Sequence, residues 1–198
     1  MALYAAETIL YLLFLGMDIF GIGDTTPIKF LSILLLTLSV FDFREKTVSI
    51  AMIFTALADV FLLVLNRFYA AGILCFLVVQ TCYAVRIRKA GDLPRHTAVY
   101  ALPPVEALAG AYILLFAVNL IQAVRLAHRC PSRKWKLFAA GLALFFCCDL
   151  CVGIHNLPNL GGPALHRFAQ FAMWGFYLPG QCLIRASAYP PLRKETVQ

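Results

Sequence analysis

Long apolar runs separated by short polar breaks set the pattern of this chain. Segments near residues 3–20, 28–41, 48–65, 68–85, 137–155 and 164–184 are almost continuously apolar. Each approaches the roughly 20 residues that an α-helix needs to cross a bilayer. One further stretch, residues 96–127, is harder to divide. It is generous for one helix and tight for two, and it holds helix punctuation at Pro103, Pro104 and Gly110.

Composition turns these runs into membrane crossings. Of the 198 residues, 62% are hydrophobic and 14% charged, with a mean hydropathy of +0.81. A soluble domain of this size needs far more polar surface. The expected fold is all-α, a polytopic transmembrane helical bundle forming a single integral membrane domain over 1–198. Short loops favour antiparallel neighbours. The N-terminal run lacks a positive flank and contains Glu7, so it reads as a first crossing and not a cleaved signal peptide.

The net charge of +7 raises the question of nucleic acid. The basic residues sit in short loops between apolar segments, where they set topology and meet anionic headgroups. The expected partners are membrane lipids, not nucleic acid.

Charge also bears on 96–127. If this stretch crosses twice, only Lys29, Arg67 and Arg167 of the 17 Lys and Arg residues fall on one face, and the other 14 share the opposite face. If it crosses once, the split is 7 against 10. Positive loops prefer the cytoplasm, so eight crossings with both termini cytoplasmic are expected, the alternative being seven. Glu106 then falls near the turn of a short, tilted hairpin.

Seven cysteines, six of them in apolar segments, give no disulfide framework and read as small packing residues. Cys148, Cys151 and His155 share a helical face, but the spacing is loose and no fourth ligand accompanies them. No metal or cofactor is expected.

Two carboxylates change the picture. Asp59 lies within "FTALADVFLLVL" and Asp149 within "FFCCDLCVGIHN". An Asp at a membrane helix centre costs about 2.5–3.5 kcal/mol on insertion scales, and intramembrane acids are functional by default. Asp59 follows Lys46 by 13 residues, and Asp149 follows Lys136 by 13. With eight crossings both helices run outward, and both acids lie roughly 20 Å from the basic boundary. A carboxyl pair at one depth can hold one proton between its members, and a proton donor beside a carboxylate is an acid–base couple. Packing by interhelical hydrogen bonds is the structural alternative.

Four stretches carry a resemblance to the YhhN-type lysoplasmalogenase family of integral membrane proteins. "ALADVFLL" (57–64) is similar to a Gly-Asp motif, with Asp59 as the acid. "GILCFLVVQTCY" (72–83) follows a Gly, Phe, His, Tyr pattern at Gly72, Phe76, Gln80 and Tyr83. "GLALFFCCD" (141–149) follows Gly, Phe and Ser-Asp at Gly141, Phe145 and Asp149. "YLPGQCLIRAS" (177–187) resembles a closing Tyr–Gln segment at Tyr177 and Gln181. The chain departs from the pattern at Ala58, Gln80 and Cys148, and Pro27 precedes Lys29 where the family has Lys-Pro.

The resemblance implies an eight-crossing fold and hydrolysis of the vinyl-ether bond of a lyso-phospholipid, releasing a fatty aldehyde and a glycerophospho-base. Asp59 and Asp149 would be catalytic. Candidates for substrate contact are Gln80, Tyr83, Tyr177 and Gln181, expected nearer the basic end than the acids, and His155 and Asn156, which end the seventh crossing. The alternative function is a non-enzymatic carrier or binder of a small amphipathic or cationic substrate, with the aspartates as proton relay. Asp18 is expected to be solvated at the outer end of the first crossing, and Glu7 to reach water at its inner end.

Overall fold

The computed structural model describes residues 2–90, 105–156 and 161–189. Among them every regular element is helical: α1 (Ala2–Phe20), α2 (Thr26–Leu38), α3 (Lys46–Asp59), α4 (Tyr69–Ala90), α5 (Val105–Arg129), α6 (Arg133–Asn156) and α7 (Pro163–Ala188). Immediately after Asp59, α3 widens into a π-helical turn over Val60–Val64. Five helices in these residues are long and apolar enough to cross a membrane: α1, α3 with its π turn, α4, the Ala109–Arg129 part of α5, and α6. α2 is shorter, with 13 residues. α7 is long but carries His166, Arg167 and Arg185.

Helix directions follow from side-chain pairs. Phe76 meets Tyr112, and Asn119 bonds Gln80, so α4 and α5 run parallel. Tyr112 meets Asp149 while Phe116 meets Phe145, so α5 and α6 are antiparallel. α3 turns back into α4, packing Leu62 against Gly72. α3 and α6, the carriers of the two aspartates, therefore share a direction, as the charge pattern requires.

The division of 96–127 comes out differently from the hairpin expected there. α5 is continuous from Val105 to Arg129 and passes through Gly110 without a turn. An isolated helical glycine costs about 1 kcal/mol, which contacts further along α5, from Tyr112 and Phe116, offset. Residues 96–104, where a fifth crossing would begin, lie outside the described residues. The parallel pairing of α4 with α5 is the one that two crossings would produce.

Small residues set the tightest contact. A Cβ on Gly141 would meet the Gly180 carbonyl oxygen and the Ile184 nitrogen, each at 2.9 Å. With both positions glycine, α6 and α7 approach at backbone distance, the usual device where lipid supplies no hydrophobic drive between helices. Pro179 within α7 cannot bond the carbonyl four residues back. That carbonyl, on Gly175, accepts the Tyr11 hydroxyl from α1 at 3.3 Å.

The basic end is tied by polar clamps. Buried Arg86 donates to the Ser187 hydroxyl and carbonyl and lies over the Trp135 and Phe138 rings. The Arg185 guanidinium donates to Ser39 Oγ and Tyr4 Oη. Glu7 does not reach water as expected: it is 3% exposed, because α1 turns it toward Pro179 and Cys182 of α7.

Candidate active site

Each aspartate is held by a tyrosine from another helix. Tyr177 of α7 donates its hydroxyl to Asp59 Oδ2 at 2.7 Å. Tyr112 of α5 donates to Asp149 Oδ2 at 2.5 Å. Asp59 is 5% exposed and Asp149 is half-buried. A neutral or ionised carboxyl in apolar surroundings needs such partners, since an unpaired one loses its solvation without return.

The two pairs belong to one aromatic core. The Tyr177 ring touches Phe145 at 5.7 Å, Phe145 touches Phe76 at 5.6 Å, and Phe76 touches Tyr112 at 6.0 Å. Gly141 sits against Ile184, and Gly180 against Phe145. Continuing this antiparallel register by one turn brings Asp149 level with the turn that bears Tyr177.

Tyr177 does not sit nearer the basic end than the acids in the sense expected. Helical side chains lean toward their own N-terminus, and α7 runs opposite to α3. Its long ring is thereby carried back to Asp59. Gln80, Tyr83 and Gln181 do lie on the basic side of the pairs, in a layer with Thr55, and all four residues are fully enclosed. Thr55 Oγ1, Gln80 Nε2, Tyr83 Oη and both amide atoms of Gln181 have no hydrogen-bond partner among the described residues. Buried polar atoms are nearly always paired, so a layer of open donors and acceptors beside the acids is equipped to hold a polar guest.

Asn119 was not among the expected site residues, nor was Tyr112. Asn119 donates to the backbone oxygen of Gln80 at 2.8 Å and to its side-chain oxygen at 3.1 Å, which orients the Gln80 amide. A signal existed: Tyr112, Phe116, Asn119, Ala123 and Leu126 recur at three- and four-residue steps and are all buried. That stripe places Tyr112 and Asn119 on one face.

His155 and Asn156 separate in role. His155 lines a cavity of about 450 Å³ at the end opposite the basic clamps. Asn156 is exposed and donates to the Val152 carbonyl at 2.8 Å, which is helix-end capping.

Neither aspartate lines this cavity, but neighbours of the Asp59–Tyr177 pair do. Leu62 and Leu63, in the π turn after Asp59, form part of its wall. Trp174 forms another part and packs edge-on against Tyr177 at 5.4 Å. π turns occur frequently at functional sites. Chemically, the arrangement offers two carboxyls with positioned phenols, an enclosed polar layer on one side and an open cavity on the other.

No curated protein and no solved structure matches this chain. A family match covers just under half of its length and includes Tyr112, Asp149, Tyr177 and Gln181, while Asp59, Gln80 and Tyr83 lie outside it. The matching model is that of the YhhN family, and the likeness extends over residues 93–188.

Proposed function

We propose that this membrane protein hydrolyses the vinyl-ether bond of lysoplasmalogens, with Asp59 and Asp149 as the acid–base couple. The carrying observation is that the two acids, on parallel helices, are each held by a tyrosine, and that both tyrosine rings belong to one aromatic core. The likeness of residues 93–188 to the YhhN family supports a hydrolase of this type.

The chemistry suits two carboxyls. One carboxylic acid gives its proton to the β-carbon of the vinyl ether, leaving an oxocarbenium ion. The other, as carboxylate, faces that cation and takes a proton from the water that adds to the α-carbon. The resulting hemiacetal loses its hydroxyl proton as the bond to the glycerol oxygen breaks, and that oxygen is protonated. One water is consumed, and an aldehyde and a glycerophospho-base leave. Glycosidases handle an oxocarbenium-like transition state with paired carboxyls in the same way. The unpartnered atoms of Gln80, Tyr83, Gln181 and Thr55 suit the water and the ether oxygen.

The test is aldehyde release from lysoplasmalogen by purified protein in lipid nanodiscs, with Asp59→Asn and Asp149→Asn alongside. Release that falls by at least about a hundredfold in both variants supports the reading. Proton-coupled uptake into liposomes without aldehyde would point to a carrier.

A further inference from the structure

We propose that the cavity between α1, α2, the π turn, α6 and α7 seats a zwitterionic phospho-headgroup, with Lys29 taking the phosphate and Asp18 the ammonium. This rests on the preceding reading only for the fate of the tail; the headgroup site itself stands on its own geometry.

Lys29 and Asp18 form an ion pair at 2.7 Å, with side chains 10% and 17% exposed. Neither is solvated at a membrane surface, as the sequence had suggested for Asp18. Both line the cavity. A buried pair gives little net stability, because desolvation offsets the attraction, so packing alone is a weak reason to keep it. The Lys29 ammonium also lies 4.8 Å from the Trp174 ring and 5.6 Å from Phe14. Those rings add attraction for the cation but accept no ordinary hydrogen bond. Of three ammonium hydrogens, one goes to Asp18, and the others are available to phosphate oxygens. Asn66, Gln170 and His155 at the exposed rim add further donors.

The negative half of the site is equally defined. Asp18 accepts Thr25 Oγ1 at 2.6 Å on one oxygen and Lys29 on the other. A headgroup that brings its own phosphate to Lys29 and its own ammonium to Asp18 exchanges one ion pair for two. Trp174 and Phe171 also line the cavity, and aromatic rings suit an alkylammonium.

The reach is consistent. Leu62 and Leu63 follow Asp59 by three and four residues, roughly 5–6 Å of helix. His155 follows Asp149 by six residues, about 9 Å. The sn-1 ether oxygen of a glycerophospholipid is five bonds from phosphorus, at most about 6–7 Å at ordinary bond lengths. A phosphate at Lys29 thus puts the ether at the depth of the carboxyls.

The test uses ester lysolipids, which contain no vinyl ether. Purified full-length protein in detergent is titrated with lysophosphatidylethanolamine, lysophosphatidic acid and monoacylglycerol of one chain length, and Kd is read by native mass spectrometry. The wild type is expected to bind the zwitterionic lipid roughly tenfold tighter than monoacylglycerol. Lys29→Met should remove most of that gap and leave monoacylglycerol binding unchanged, which also reports folding. Asp18→Asn should narrow the preference over lysophosphatidic acid. If Lys29→Met fails to fold, Lys29→Met with Asp18→Asn leaves no lone buried charge and should show the same lost gap. Equal wild-type affinity for the headgroup lipid and monoacylglycerol overturns the proposal, as does a folded Lys29→Met with the gap intact. Headgroup binding without aldehyde release would remove the hydrolase reading and leave this site standing.

Discussion

Tyr177 on α7 donates its hydroxyl to Asp59 on α3 across a distance of 2.7 Å. This bond fixes the orientation of a carboxyl that is itself buried. Removing the hydroxyl leaves the ring and its contacts with Phe145 and Trp174 in place. Tyr177→Phe should therefore fold normally and release aldehyde roughly ten- to a hundredfold more slowly, the scale of a lost hydrogen bond to a charged group. Turnover and thermal midpoint measured on one preparation check this. A large fall in midpoint with proportionate loss of activity would mean that the bond serves packing alone.

Tyr112 stands in the same relation to Asp149. The two pairs share a continuous aromatic core, so their effects should couple. Tyr112→Phe and Tyr177→Phe each slow the reaction; together they should depart from additivity in activation free energy by about 0.5–3 kcal/mol. A double-mutant cycle on aldehyde release provides the number. Strict additivity would indicate two acids working apart.

Much of this arrangement is visible in the sequence because apolar runs have little choice in a membrane. Backbone groups must be satisfied internally, so each long run becomes a helix, and α6 at Arg133–Asn156 encloses the run at 137–155. Asp59 and Asp149 stand out for the same reason. Three features were hidden. The π turn at Val60–Val64 reflects how Leu62 packs on Gly72, not a local residue preference. The depth of Tyr177 depended on side-chain lean, which counting residues along an axis ignores. The pairing of Asp18 with Lys29 was missed because both lie at the ends of apolar runs, where charges normally meet water.

Gly141 offers a test of the scaffold. A methyl group there would approach the Gly180 oxygen and the Ile184 nitrogen at 2.9 Å. These are backbone atoms that cannot swing aside. Gly141→Ala should cost about 1–3 kcal/mol through overpacking and should loosen the contact that seats Phe145 against Tyr177. At Gly16 of α1 nothing lies within 4 Å of a built Cβ, so Gly16→Ala should be neutral or gain up to about 1 kcal/mol from helix propensity. Thermal unfolding of the two variants in one detergent should move in opposite directions or differ by that sum.

Glu45 sets the pH response of the basic end. It lies just before α3, accepts Thr47 Oγ1 at 2.7 Å and faces Lys134 at 3.5 Å. Partial burial pushes its carboxyl up, but the Thr47 bond and the charges of Arg86 and Lys134 outweigh that and hold it below the ordinary 4.5. A lowered native value means that the unfolded chain takes the proton more readily, so stability rises with pH through this window. The contribution is complete above 4.5 and disappears as pH falls through the lowered value. The Lys134 side chain is well exposed, and solvent screening keeps the effect small. Glu45→Gln should therefore lower the thermal midpoint slightly at pH 7 and flatten its decline between pH 5 and pH 3. Wild type and variant with parallel midpoints across that range would remove Glu45 from the account and leave the Arg86–Ser187 bonds as the tie between α4 and α7.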